Sequence, residues 1–157
     1  MPFMSELYVA AQEREVVPEF EIFELGHLHA LRRLIDTCGL PFGGKVHLDF
    51  VLGVPGSMPA TPQALLAGVA MLPAEVTSWS ATGIGRGHLP VAATAVAAGG
   101  HLRVGMEDNL VFARGRQVAH NSELVSRAAQ LAALMQRPAL SPEQAREMLG
   151  IKERRSR

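Results

Sequence analysis

From residue 20 onward, the hydrophobic positions along the chain alternate between two periods. Short runs rich in β-branched and aromatic residues repeat every second position. Each is followed by a run with apolar residues three and four apart, and Gly or Pro separates the pair. This alternation predicts βα units around a parallel sheet. A first strand is expected over residues 20–25, ending at Gly26. Leu28, Leu31, Leu34 and Ile35 then mark a helix over 27–37 that Gly39 stops. A second strand covers 45–54, and Thr61 before Pro62 reads as the N-cap of a helix over 62–72. The third pair is a strand over 75–81 and an Ala-rich helix over 90–98 closed by Gly99 and Gly100. The fourth is a strand over 101–107, a loop over 106–121 and a helix over 122–136 with Leu124, Ala128, Leu131 and Leu134 on one face. Ser141-Pro142-Glu143-Gln144 has the form of a capping box that opens a last short helix. Residues 1–19 read as the end of a further helix and a connection. Right-handed crossovers place the four strands in sequential order.

Period two also sorts the polar residues by face. On the fourth strand His101, Arg103, Gly105 and Glu107 share one side, and Leu102, Val104 and Met106 the other. On the second, Val46, Leu48, Phe50 and Leu52 oppose His47 and Asp49. A face that carries imidazole, guanidinium and carboxylate is costly to bury unless its groups pair, bind metal or meet substrate. Structural ion pairs and a functional site both satisfy that condition. Glu107 and Asp108 at the C-terminal end of their strand favour function, because parallel α/β folds build their sites there.

Composition narrows the partners. The 157 residues are 48% hydrophobic and 19% charged, with 15 Lys+Arg against 15 Asp+Glu, so the formal net charge is zero. One domain with a sizeable core fits this length, whereas a complete (β/α)8 barrel needs roughly 250 residues. Zero net charge gives no reason to expect nucleic acid or a membrane surface as partner. The one basic cluster is a tail at 152–157. The lone Cys38 reads as a structural thiol in a reducing compartment. The N-terminus lacks a signal-peptide pattern and no apolar run approaches the roughly 20 residues of a membrane span, which points to the cytoplasm.

Two glycine-rich loops lie between strand and helix: Gly53-Val54-Pro55-Gly56-Ser57-Met58-Pro59 and Gly83-Ile84-Gly85-Arg86. Their amides and the following helix N-termini can receive an anion, with Arg86 adding charge, or they can be tight turns. His27-Leu28-His29 has the look of a metal pair, but residues two apart diverge around a helix. The plainer reading has one histidine capping the strand end and the other exposed.

The strings FELGHL (23–28), HLDFVLGVPGSMPATP (47–62), SWSATGIGRGHLP (78–90), GGHLRVGMEDNL (99–110), HNSELVSRAAQLA (120–132) and SPEQAREMLGI (141–151) occur in this order. Together they resemble the C-terminal half of the β-keto acid cleavage enzymes, the family of 3-keto-5-aminohexanoate cleavage enzyme, over almost the whole chain. The resemblance implies a fold class: the α/β C-terminal half of a (β/α)8 TIM barrel, strands five to eight, as a single partial domain over 1–157. It also implies metal-dependent cleavage of a small β-keto acid with acetyl-CoA as co-substrate, giving acetoacetate and a new acyl-CoA, with zinc as the usual metal. On that basis Glu107 matches the carboxylate metal ligand, Arg103 the active-site arginine, and Asp108 the acid that works with it. Gly53, Pro55, Gly56, Ser57, Gly83, Gly85 and Arg86 would line the mouth that receives the CoA thioester and the substrate carboxylate.

The family's other two metal ligands are histidines of a His-x-His motif on an early strand, and this chain has no counterpart to it. His27 and His29 follow the fifth strand in the family's order and do not take that place. Three expectations follow. The chain acts with a separate N-terminal half-barrel chain, it self-associates as a homo-oligomer, or it is a non-catalytic truncated remnant.

Overall fold

In the computed structural model, which describes residues 2–152, four strands pair in parallel in the order β1-β2-β3-β4. They are β1 (Glu19–Ile22), β2 (Val46–Leu52), β3 (Val76–Gly83) and β4 (His101–Leu102). The helices are α1 (Pro2–Glu13), α2 (Leu25–Cys38), α3 (Pro62–Ala70), α4 (His88–Ala97), α5 (Asn121–Leu134) and α6 (Pro142–Leu149). The sequential sheet is the one expected from right-handed βα crossovers.

Burial explains why the strands register as they do. Phe20 lies beside Leu48 and Ile22 beside Phe50 in the β1–β2 ladder, and Leu48 faces Trp79 and Phe50 faces Ala81 across β2–β3. A one-residue slip would turn this apolar set away from the helices, so the pattern fixes the register. Leu28, Leu31 and Ile35 of α2, Leu65 of α3, and Val91 and Ala95 of α4 close the core over these side chains. All seven residues of β2 are buried, the polar His47 and Asp49 included.

Several helix boundaries lie where the local chemistry puts them. Thr61 Oγ1 accepts the amide of Ala64 at 3.2 Å at the head of α3. Gly39, at φ +81°, ends α2 with its N–H on the carbonyl of Ile35 at 2.8 Å. The capping box of α6 is complete: Ser141 Oγ accepts from Gln144 N–H at 3.2 Å, and Gln144 Oε1 accepts from Ser141 N–H at 2.9 Å. Helix α4 begins at His88, two residues before the expected start, because Pro90 sits in its first turn, where no amide bond is lost. Helix α5 stops at Leu134 instead of reaching Gln136, whose φ of +57° is left-handed.

Three expectations are corrected. The first strand ends at Ile22 rather than at residue 25, because Leu25 already opens α2 and Gly26 lies in its first turn. The fourth strand is two residues long, not seven. It pairs only with β3, and beyond Leu102 the one added ladder bond is a long one, from Arg103 N–H to the Ala81 carbonyl at 3.4 Å. The amides of Asp108 and Asn109 both turn back to the carbonyl of Gly105, which replaces the pleat by a tight turn. The third correction concerns the loop over 106–121, which contains a small antiparallel hairpin, β5 (Val111–Ala113) and β6 (Arg116–Gln117), turning at Gly115 with φ +77°. Of the basic tail, Lys152 lies 3.5 Å from Glu15 and over the ring of Phe42; residues 153–157 lie outside the described residues.

Truncating Phe50 to Ala should lower the unfolding free energy by about 3–5 kcal/mol, since its ring is fully buried between strand and helix. Ser141→Ala should cost only about 1 kcal/mol. Urea unfolding of the two variants beside the wild type checks the order.

Candidate active site

The side of the sheet opposite the core is polar on every strand. Glu19 and Glu21 of β1, His47 and Asp49 of β2, Ser78, Ser80 and Thr82 of β3, and His101 of β4 follow one another by alternation and register. Asp49 is fully buried. Ser80 Oγ and Thr82 Oγ1 each donate to its carboxylate at 2.7 Å, one to each oxygen, and Arg103 Nη1 lies 3.6 Å from Oδ2. The buried carboxylate is thus met by two hydroxyls and a cation, which satisfy its oxygens. His47 shares hydrogen bonds with Ser78 Oγ at 2.8 Å and Ser80 Oγ at 3.4 Å. Burial, then the nearby His101, hold its pKa below the usual histidine value, against the pull of Asp49.

Arg103 joins this face to the loops. Its Nη1 donates to Glu21 Oε1 at 3.0 Å and its Nη2 reaches Glu107 Oε1 at 3.5 Å. Burial works against its charge, but Asp108, Asp49 and Glu21 outweigh it together with the Glu107 hydrogen bond, and the guanidinium pKa is raised. Glu107 comes beside Arg103 through the turn at Gly105 and not along a pleat. A Cβ on Gly105 would run into the Glu107 carboxylate, so the glycine is what lets that side chain fold back.

Asp108 is the buried acid of the turn after β4. Its residue is 9% exposed, and its Oδ2 is buried with no hydrogen-bond partner among the described residues. Burial pushes its pKa up; Arg103 pulls it down, and Glu107, Asp49 and Glu21 push it up again. A carboxyl group raised in pKa, with one oxygen unspent, beside a fixed cation, is equipped to take and return a proton. It lines a cavity of about 820 Å³ with Gly85, Arg86, His88, Glu107 and Asn109 among its walls. Gly85 N–H donates to the backbone carbonyl of Asp108 at 2.9 Å and so ties the turn after β3 to the acid.

The structure therefore brings Glu107, Asp108, Gly85 and Arg86 to one cavity; Arg103 reaches it through Glu107 and itself lines a second cavity with Glu19, His47 and Ser80. Gly83 stands just behind, at the end of β3. The loop carrying Gly53, Pro55, Gly56 and Ser57 is not part of this cavity. Gly53 N–H closes on Met58 O at 2.8 Å and Ser57 N–H on Val54 O at 3.0 Å, so those amides are spent within a turn. His27 Nδ1 accepts the amide of Phe23 at 3.2 Å and His29 is exposed, so His27 caps the strand end and neither is near the site. Glu21, Ser80 and Thr82 were missed by sequence reasoning, although period-two alternation in Glu19-Phe20-Glu21-Ile22 and Ser78-Trp79-Ser80-Ala81-Thr82 carries the signal.

Because the folded state raises the Asp108 pKa, it binds that proton more tightly than the unfolded chain. Stability from this group is present below its unfolded pKa and is lost as pH rises through the folded one. Asp108→Asn should therefore raise the melting temperature at pH 7, with the gain shrinking toward acid pH. Thermal unfolding of both proteins from pH 3 to pH 8 measures the difference.

A family model described as beta-keto acid cleavage enzyme matches residues 1–151. The chain is 38% identical over 136 residues to a 3-keto-5-aminohexanoate cleavage enzyme of Acetoanaerobium sticklandii, covering 87% of this chain and 49% of the relative. It is 36% identical to a 3-dehydrocarnitine:acetyl-CoA trimethylamine transferase of Rhizobium meliloti, covering 88% and 45%. With a 3-oxoadipate:acetyl-CoA acetyltransferase of Cupriavidus necator it shares 32% identity, covering 87% and 48%. The chain spans about half the length of these curated relatives. With its four parallel βα units and the Arg103–Glu107–Asp108 cluster at the end of the sheet, the chain belongs to the beta-keto acid cleavage enzyme family.

Proposed function

We propose that this chain carries the acid–base half of a β-keto acid cleavage site, the C-terminal half of a (β/α)8 barrel whose strands five to eight are β1 to β4. The reaction condenses a small β-keto acid with acetyl-CoA and releases acetoacetate and a new acyl-CoA. The observation that carries this reading is Asp108: a buried carboxyl group of raised pKa in the wall of a cavity, its Oδ2 without a hydrogen-bond partner among the described residues and its charge favoured by Arg103. Asp108 moves the proton, and Arg103 holds a substrate carboxylate or an oxyanion while Glu21 and Asp49 keep its guanidinium in place.

Zinc enters the same proposal through Glu107. That carboxylate is exposed and offers one donor, but no group of three or more His, Cys, Asp or Glu able to hold a metal is present among the described residues. A zinc site needs three or four protein donors. The residues described here do not by themselves fit the metal, and no step of this reading passes through it.

Completion by further chain is part of the reading. β1 and β4 each have one edge without a partner strand in the described sheet. Open parallel edges, together with exposed apolar side chains of α1 such as Phe3 (75% exposed) and Leu7 (61% exposed), favour association. A four-strand N-terminal half, on a separate polypeptide, fits those edges; a second copy of this chain fits them as well, by pairing β1 of each with β4 of the other. No described helix is long and apolar enough to cross a membrane, and a cytoplasmic location remains part of the proposal.

The test is acetyl-CoA-dependent acetoacetate release by the chain alone and after mixing with the N-terminal half of a relative. Activity is expected in the mixture. Asp108→Asn or Arg103→Met should lower it by roughly 10²–10⁴-fold. Full activity in Asp108→Asn would overturn the role given to the carboxylate.

A further inference from the structure

The turn after β4 carries both Glu107 and Asp108, yet the sheet gives it little support. β4 ends at Leu102, and the ladder adds only the long Arg103 bond. Past that point the main chain is tied to other elements on either side of the two acids. After Glu107, the Asp108 carbonyl takes the amide of Gly85 at 2.9 Å. Before it, the Met106 amide donates to the side-chain oxygen Oδ1 of Asn121 at 2.8 Å.

Asn121 is the first residue of α5, so its bond to Met106 closes the 106–121 excursion at its neck. Inside that loop the chain is braced. Val118 N–H donates to the Leu110 carbonyl at 2.9 Å, and the Asn109 side chain bonds the main chain of Val111 twice, at 2.7 and 3.2 Å. Arg127 of α5 grips the hairpin, with Nη1 on the carbonyl of Phe112 at 2.6 Å and the guanidinium 4.3 Å over that ring. Leu124, fully buried, fastens the same end of α5 to the protein. The neck is thus held from a fixed helix, and the acids follow it directly in the chain.

Asn121 does little for the helix it opens. An asparagine at a helix start ordinarily accepts an amide of its own helix. Here the cap position belongs to His120, which makes no side-chain cap, and the Asn121 oxygen is spent on Met106. At this exposed helical position Ala would favour the helix more. What Asn121 supplies is an acceptor for an amide that the short β4 leaves without a ladder partner.

We infer that Asn121 is a positioning residue of this site: by holding the Met106 amide, its side-chain oxygen fixes the turn that presents Glu107 to Arg103 and Asp108 to the cavity. The role rests on the acid–base reading proposed above, whereas the clasp itself rests on geometry.

Asn121→Ala removes the acceptor and Asn121→Asp keeps it. In Asn121→Ala, amide hydrogen exchange at Met106 should speed up by about tenfold, the equivalent of one net hydrogen bond, while amides in the middle of α5 keep their rates. Acetoacetate release by the mixture with the N-terminal half of a relative should fall about tenfold in kcat, with KM changed by less than about twofold. Asn121→Asp should restore both, because the acceptor remains. Ser122→Ala, at the next exposed position, should change neither. Unchanged Met106 exchange in Asn121→Ala overturns the clasp. Faster exchange with kcat unaltered overturns the positioning role, and so does a loss of kcat that Asn121→Asp fails to restore. If the wild-type mixture is inactive, the acid–base reading fails and the side-chain N–H resonances of Arg103 decide the rest. A shift of those resonances in Asn121→Ala that Asn121→Asp reverses supports the hold on Glu107, and resonances identical to the wild type overturn it.

Discussion

The burial of one carboxylate organises the polar half of this molecule. Asp49 sits at zero exposure in the middle of β2, where neighbouring strands flank it on both sides. Left alone, an ion there would cost several kcal/mol or lose its charge. It keeps company instead with two hydroxyls on β3 and a guanidinium beyond β4. Ser80 and Thr82 must therefore point to the same face as Asp49, which fixes the facing of β3. Arg103 is drawn across from the far edge of the sheet.

Arg103 then transmits that arrangement to the loops. Its two terminal nitrogens reach Glu21 on the opposite edge strand and Glu107 in the turn after β4. Three carboxylates thus surround one cation, and Asp108, next to Glu107, lies in the resulting field. The field is mixed: Arg103 favours the ionised form of Asp108, while burial and the other acids oppose it. The net result is a carboxyl group whose pKa is raised above the usual aspartate value. The apolar half of the sheet contributes by being rigid, since the core side chains of β2 and β3 interlock with three helices.

Much of this was legible in the sequence, and what was not has physical causes. Helix spacing, the Ser141 capping box and the Gly39 stop are local, and each sits where the pattern puts it. Alternation identified Arg103, Glu107 and His47 with Asp49 as a polar face. The same rule extended β4 five residues too far, because alternation in a sequence does not reveal that a strand has a neighbour on one side only. The hairpin after it was too short to show a period. Glu21 was overlooked because its partner Arg103 is 82 residues away, and a pairing of that span leaves no local mark. The Arg127–Phe112 stack was equally hidden, joining a helix to a loop that reads as featureless. The glycine-rich loops looked alike in the sequence and part company in the structure. One closes on itself, and the other leans on Asp108.

That second loop has an implication for how such a site can change. The tie between Gly85 and Asp108 runs from main chain to main chain, amide to carbonyl at 2.9 Å. It asks nothing of the side chains at positions 84 and 86 beyond fitting the space. The acid is therefore anchored by main-chain atoms, with Gly85 at φ +58° in the left-handed region that favours glycine. Residue 86 on the cavity wall is free to be exchanged for a larger, smaller or oppositely charged one without unseating the carboxylate. A variable cavity wall and a fixed carboxyl group are in this way assigned to different parts of the same short turn.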